Sequence, residues 1–305
     1  MKKDLLSVVD RGRDEAEQLV EQALVMKQGG MRCLLPWRSV ALLFEKPSLR
    51  TRVSFDLAVT QLGGHCLYLS PQEVGLGHRE PVADVARVLS RYVDCIVARV
   101  FSHDTLVGLA RYATVSVINA LSDREHPCQA MADFLTIREH KGRLRGVRLA
   151  YVGDGNNVAR SLALLSAMMG VEFIIASPDG YELDASTVTD ARRMAAAAGS
   201  GVTARNDPIE AVHGADVVYT DTWTSMGQEE EAAIRRKAFA GFQVDSALMA
   251  HARPDALFMH CLPAHQGEEV TSDVLNGKSS VVFDQAENRL HVQKAILAQI
   301  LIPAD

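Results

Sequence analysis

A chain of 305 residues is long enough for two domains of ordinary size, and 48% hydrophobic residues supply substantial cores. The net charge of −6 gives no global field for nucleic acid, so any anion site must be local. No apolar run is long enough to cross a membrane, Met1-Lys2-Lys3-Asp4 does not open a signal peptide, and five cysteines without a CxxC pair fit reduced thiols in a cytoplasm.

Leu5, Val8, Val9, Ala16, Leu19, Val20 and Leu24 recur at near-helical spacing and predict one or two opening helices before Gly29-Gly30. Short apolar runs then alternate with helical stretches. Strands are predicted at 39–44, 64–69, 94–98, 115–118, 147–152, 171–176, 216–220, 256–260 and 280–283. This alternation reads as an α/β protein whose two domains each carry a parallel β-sheet flanked by helices. The polar stretch His140–Gly146, which carries two glycines, marks a boundary and predicts domains at 1–142 and 143–288. A final helix, about 289–305, is expected to pack back on the first domain.

The chemistry-bearing segments follow the strands. After the run 39–44 come Pro47, Ser48, Leu49, Arg50, Thr51 and Arg52, ahead of a helical pattern. A helix N-terminus offers unpaired amides and partial positive charge, so these hydroxyls and guanidiniums suit a phosphate dianion. Arg99 ends the strand Cys95–Ala98 at the same edge. Glu125-His126-Pro127-Cys128-Gln129 opens another helix, where His126 can donate to a carbonyl oxygen or shuttle a proton, and Gln129 can donate and accept. Gly153-Asp154-Gly155-Asn156-Asn157-Val158 resembles a dinucleotide turn only in part, because Val158 replaces the third glycine; a nicotinamide site is disfavoured. The asparagines can bind a small polar ligand such as a carboxylate.

Asp221, in Asp221–Glu229, supplies a carboxylate for an ammonium group, with Ser225 and the Met226 backbone as neutral partners. Phe258-Met259-His260-Cys261-Leu262-Pro263 ends a strand with a thiol, readable as a core residue or as a thiolate near a reacting amine. His126, Cys128, His260 and Cys261 match no common zinc spacing, so no metal is expected. Asp284–Arg289 adds a guanidinium after the last run.

Together these segments resemble the aspartate/ornithine carbamoyltransferase family, over nearly the whole chain and in order. Ser48–Arg52, His126–Gln129 and His260–Pro263 are each moderately specific and jointly very specific. Asp221–Gly227 is similar to the ornithine branch rather than the aspartate branch. The resemblance implies an interdomain active site, a homotrimer, and carbamoyl phosphate and L-ornithine as substrates, with no cofactor. It implies that Ser48, Leu49, Arg50, Thr51, Arg52 and Arg289 bind the anionic side of carbamoyl phosphate. Arg99, His126 and Gln129 would hold its carbamoyl group, with Cys261 and Leu262 at the reaction centre. Arg99, His126 and Cys261 would be catalytic, and Asn157, Asp221, Ser225 and Met226 would hold ornithine. Leu49 stands where threonine is frequent in the family, and 72–81 is less similar to it. A carbamoyltransferase for another amine and a non-catalytic binding homologue remain as alternatives.

Overall fold

The computed structural model describes residues 2–30, 33–77, 79–224, 227 and 229–302. Contacts divide the chain into two compact units, Met1–Leu135 with Glu287–Asp305, and Thr136–Ala286.

The first unit opens with a 3-10 turn, Val8–Arg11, and α1 (Gly12–Lys27). Ser7 caps the turn through its side chain, and α1 buries Ala16, Leu19, Val20, Ala23 and Met26 on one face, the spacing legible in the sequence. There follow β1 (Ser39–Phe44), α2 (Leu49–Gln61), β2 (His65–Leu69), α3 (Pro71–Val74), α4 (Val82–Leu89), β3 (Cys95–Arg99), α5 (His103–Tyr112), β4 (Ser116–Leu121) and α6 (Pro127–Lys141). The four strands are parallel, in the order β2-β1-β3-β4. Central β1 and β3 are buried on both faces, which is why they read as unbroken apolar runs, whereas edge strand β2 is partly exposed. Ala41, Leu43, Ile96 and Ala98 pack against Val85, Leu106 and Leu109 on one side of this sheet.

The second unit runs β5 (Arg148–Val152), α7 (Asn157–Met169), β6 (Glu172–Ala176), α8 (Ala185–Ala198), β7 (Val202–Arg205), α9 (Pro208–Val212), β8 (Val217–Thr220), a 3-10 turn (Glu229–Glu231), α10 (Ala232–Ala238), α11 (Ser246–Met249), β9 (Leu257–His260) and α12 (Ser272–Leu275). Its five parallel strands lie in the order β7-β6-β5-β8-β9, the winding of a Rossmann-type sheet. The last helix is α13 (Val282–Leu301).

Two elements differ from expectation. β7 was not foreseen, because Val202-Thr203-Ala204-Arg205 is a short edge strand with only Val202 buried, and so lacks an apolar run. The β-branched run 280–283 is no strand. Val281 donates its amide to Phe258 O at 3.0 Å, and Ser280 forms an isolated bridge to Phe258, but Val282 already begins α13. Pairing with β9 satisfies the start of the run, and helix takes over where pairing ends. The last helix therefore starts before Arg289. The unit divisions fall within α6 and α13; the expected boundary at 142/143 lies just past the end of α6. No described helix is long and apolar enough to cross a membrane.

Candidate functional site

In the first unit the winding reverses between β1 and β3, and open α/β sheets bind ligands at the carboxyl ends of such strands. β1 ends at Phe44, and the chain turns into Ser48, the N-cap of α2. Ser48 Oγ accepts from the Thr51 amide at 3.3 Å and lies 3.0 Å from Thr51 Oγ1. Thr51 is buried, Arg50 half-buried, and Leu49 is 76% exposed. Arg52 is exposed, with its guanidinium over the Tyr68 ring at 3.9 Å. Arg289, buried on α13, ties these groups to α6. Its Nη2 donates to Thr51 Oγ1 at 3.1 Å and its Nη1 to Gln129 Oε1 at 2.6 Å. Gln129 Nε2 in turn donates to Asp133 Oδ1 at 2.8 Å. A hydroxyl, a guanidinium and an amide 238 residues apart in places thus form one buried hydrogen-bonded line.

Arg99, at the end of β3, and His126, just before α6, are also buried. Burial, then the positive charges of Arg289 and Arg99, hold the His126 imidazole well below its ordinary pKa. His126 is therefore neutral at physiological pH and suited to donating a hydrogen bond rather than carrying a cation. Lys46 lies over the Phe101 ring at 4.6 Å, its pKa lowered by burial and by Arg99. Cys128 is a core thiol: burial pushes it up to about 12, and Sγ donates to Asn119 O at 3.4 Å.

In the second unit the winding reverses between β5 and β8, and both strands end in polar loops. Gly153, with φ 145, and Gly155 form the turn after β5. A Cβ on Gly155 would lie 2.3 Å from Leu183 N, so the glycine allows two backbones to touch. That packing accounts for the partial dinucleotide pattern without a pyrophosphate. Asn156, not Asn157, caps α7: its Oδ1 accepts from the Val158 and Ala159 amides, and its Nδ2 donates to Asp221 Oδ2 at 2.8 Å. Asn157 is the half-buried first residue of the helix.

Asp221, at the carboxyl end of β8, collects two further donors on Oδ1: the Thr222 amide at 2.8 Å and Cys261 Sγ at 3.0 Å. Cys261 is here a thiol donor, which favours neither reading given above, core filler or thiolate. Ser225 and Met226 lie outside the described residues. His260 is wholly buried. Its Nδ1 accepts from the Leu262 amide at 2.9 Å, which leaves the ring proton on Nε2, 3.2 Å from Glu269 Oε1. The His260 amide donates to Gln285 Oε1 at 3.0 Å. Leu262 takes a left-handed φ of 57, within a turn held by that imidazole. Asp221, His260 and Cys261 offer metal-ligating atoms within 4.8 Å of one another, but the bonds just described already account for their positions.

Glu269, Gln285, Asp133 and Arg235 were not legible as site residues. Arg235 Nη1 reaches Asp154 Oδ2 and the Trp223 carbonyl, both at 3.0 Å, and so anchors the loop after Asp221. Burial pushes Asp154 up to about 6 despite that pairing. In sequence Arg235 is one of three consecutive basic residues of an exposed-looking helix, with nothing to separate it from Arg236.

Comparison with known proteins adds what geometry does not. The family model for the carbamoyl-P binding domain of aspartate/ornithine carbamoyltransferase matches residues 3–139, and that for the Asp/Orn binding domain matches residues 145–300. The chain is 52% identical over 303 residues to an anabolic ornithine carbamoyltransferase of Pyrococcus furiosus, covering 98% of this chain and 96% of that protein. It is 51% identical over 299 residues to the ornithine carbamoyltransferase of Bacillus subtilis, covering 98% and 94%. The solved ornithine carbamoyltransferase of Pyrococcus furiosus superposes with a TM-score of 0.96 at 51% identity, covering 99% of this chain and 98% of that one. With a hydroxyl-and-guanidinium cradle on one parallel sheet, a tethered carboxylate on the other, and both family models matched in order, the chain belongs to the aspartate/ornithine carbamoyltransferase family.

Proposed function

We propose that this protein is an ornithine carbamoyltransferase, moving the carbamoyl group of carbamoyl phosphate to the δ-amine of L-ornithine to give L-citrulline and phosphate, in the direction of arginine biosynthesis. The observation that carries this reading is the pair of unlike sites at corresponding sheet edges. One has Ser48, Thr51, Gln129 and Arg289 in a bonded cradle; the other has Asp221 held by Asn156, Thr222 and Cys261. The first suits a phosphate and a carbamoyl amide, the second an ammonium.

In this reading Ser48, the Leu49 amide, Arg50, Thr51 and Arg52 hold the phosphate, and Arg289 holds the anionic side. Arg99, His126 and Gln129 hold the carbamoyl group. Asn157, Asp221, Ser225 and Met226 hold the amino-acid end of ornithine, and Cys261 and Leu262 line the reacting centre. Both substrates must meet for transfer, so the two half-sites serve one reaction. Ornithine's δ-amine is mostly protonated at pH 7 and must be bound as, or converted to, the free base before it attacks the carbonyl carbon. The neutral His126 and the Arg99 guanidinium stabilise the tetrahedral oxyanion. The nitrogen–carbon bond forms, the carbon–oxygen bond to phosphate breaks, and the departing phosphate takes the amine proton. Positioning and fixed charge supply the gain, and the chemistry needs no cofactor.

The enzyme works as a homotrimer in the cytoplasm. Leu49, Val53 and Leu57 form an i, i+4, i+8 apolar stripe on α2 that is exposed in the single chain, next to the phosphate cap, and a second copy would cover it. Leu57→Glu should lower the sedimenting mass; a variant that sediments like the parent would remove that support. The functional test is citrulline formation from carbamoyl phosphate and ornithine, run beside aspartate, putrescine and lysine. Product with ornithine alone is expected. Turnover of another amine would overturn the role of Asp221, and no turnover by folded protein that binds carbamoyl phosphate would leave a binding homologue.

A further inference from the structure

The loop from β9 to α12 gathers His265, Glu268 and Glu269, and the geometry points to a binding site there for one divalent transition-metal ion, separate from the substrate residues. One ligating atom from each side chain lies within 4.8 Å of the other two. His265 Nδ1 stands 3.8 Å from Glu269 Oε2.

The independent observation is the state of Glu269. Its side chain is completely buried. Oε1 is well used, accepting from the His265 amide at 2.6 Å and facing His260 Nε2 at 3.2 Å. Oε2 is buried as well and accepts no hydrogen bond. A buried carboxylate oxygen without a donor is costly, and a cation bridging to His265 and Glu268 would satisfy it.

The loop backbone is already fixed around the three side chains. Glu268 donates its amide to His265 O at 2.9 Å, Gly267 to Val270 O at 2.9 Å, and Val244 to Glu269 O at 2.9 Å. Gln243 Nε2 holds the Glu268 carbonyl at 2.7 Å. Arg236 Nε pairs with Glu268 Oε1 at 3.3 Å, which leaves the second oxygen of that carboxylate for a metal. His265 is half exposed and opens the cluster to solvent, while Glu269 closes it from within. Metal bonds near 2.1 Å need ligand atoms about 3 to 3.4 Å apart, a contraction the two outer side chains can supply.

One imidazole and two carboxylates form a mixed nitrogen–oxygen set without thiolate. It suits Mn²⁺, Co²⁺ or Zn²⁺, with water in the remaining positions. A bound ion would add a crosslink to the segment that begins at Cys261, acting through Glu269, His260 and the Leu262 amide.

The test is Mn²⁺ binding to the full-length protein, followed by the loss of the free-ion paramagnetic resonance signal, without carbamoyl phosphate. Mn²⁺ disfavours thiol sites, so the Asp221–His260–Cys261 group should contribute little. One ion per chain is expected, with a rise in melting temperature. His265→Ala and Glu268→Gln, both outside the core, should each weaken binding by more than about tenfold, since even outer partners of metal sites command that scale. Cys261→Ser should leave Mn²⁺ binding unchanged. No binding at millimolar Mn²⁺, equal binding by correctly folded His265→Ala and Glu268→Gln proteins, or loss of binding in Cys261→Ser would each overturn the site.

Discussion

The two units solve the same topological problem with opposite charge. In each, a parallel sheet reverses its winding and polar residues collect at the carboxyl edge beside the reversal. The first unit fills that edge with buried cations, Arg99 and Arg289, and a helix cap of hydroxyls. The second centres on one carboxylate, Asp221, with an amide, a thiol and a backbone N–H around it. The net charge of −6 conceals this division. In the proposed reading, attraction for a phosphate and for an ammonium is a property of each edge, set within a few ångströms, where a low local dielectric makes single charges decisive.

The contrast can be broken from either side. The largest effect is expected from Arg50→Ala. Loss of a cation that meets phosphate only in the loaded site should cut kcat/KM for carbamoyl phosphate by about a hundredfold or more. Arg50 is only half-buried, so the melting temperature should not change. Unaltered kinetics in folded protein would end the phosphate assignment. Asp221→Asn should act on the other substrate. A hydrogen bond to a charged group is worth roughly 1.5–3 kcal/mol, so KM for ornithine should rise by about ten- to a hundredfold while that for carbamoyl phosphate moves far less. Equal shifts in both would show that the charge division is not what selects the substrates.

Gly155→Ala tests stability rather than chemistry. Its Cβ would meet the Leu183 amide nitrogen at 2.3 Å, a backbone contact that cannot rotate away. A cost of about 1–3 kcal/mol is expected, read as a lower thermal midpoint. An unchanged midpoint would mean that the turn yields and that Gly155 serves something other than packing.

The smallest effect concerns His126, whose ordinary value is 6.5 and whose folded value is depressed by burial, Arg289 and Arg99. Below pH 6.5 the unfolded chain takes up a proton that the folded chain refuses. This contribution to stability is complete above 6.5 and is lost as pH falls towards the folded value. His126→Asn should therefore show a flatter fall in melting temperature between pH 7 and 5 than the parent. Parallel curves would place His126 in a wetter, less positive setting.

The sequence by itself determined the alternation of strands and helices, because a parallel strand buried on both faces must be an apolar run and its crossover helix must carry a 3.6-residue stripe. It also determined the placement of Ser48–Arg52 at a helix start and of Arg99, His126, Asp221 and Cys261 at strand ends, since helix starts and strand ends are local events. Edge strand β7 and the early start of α13 escaped it, because half-exposed strands and β-branched helix starts take their state from neighbours. Only the tertiary structure decided which groups act together. Arg289 meets Thr51 across 238 residues, and Glu269 completes the His260 turn from beyond the strand. It chose Asn156 over Asn157 for the Asp221 carboxylate and Arg235 over Arg236 for the loop anchor. Neighbouring residues of one type look alike along a chain, and only packing in three dimensions gives them different faces.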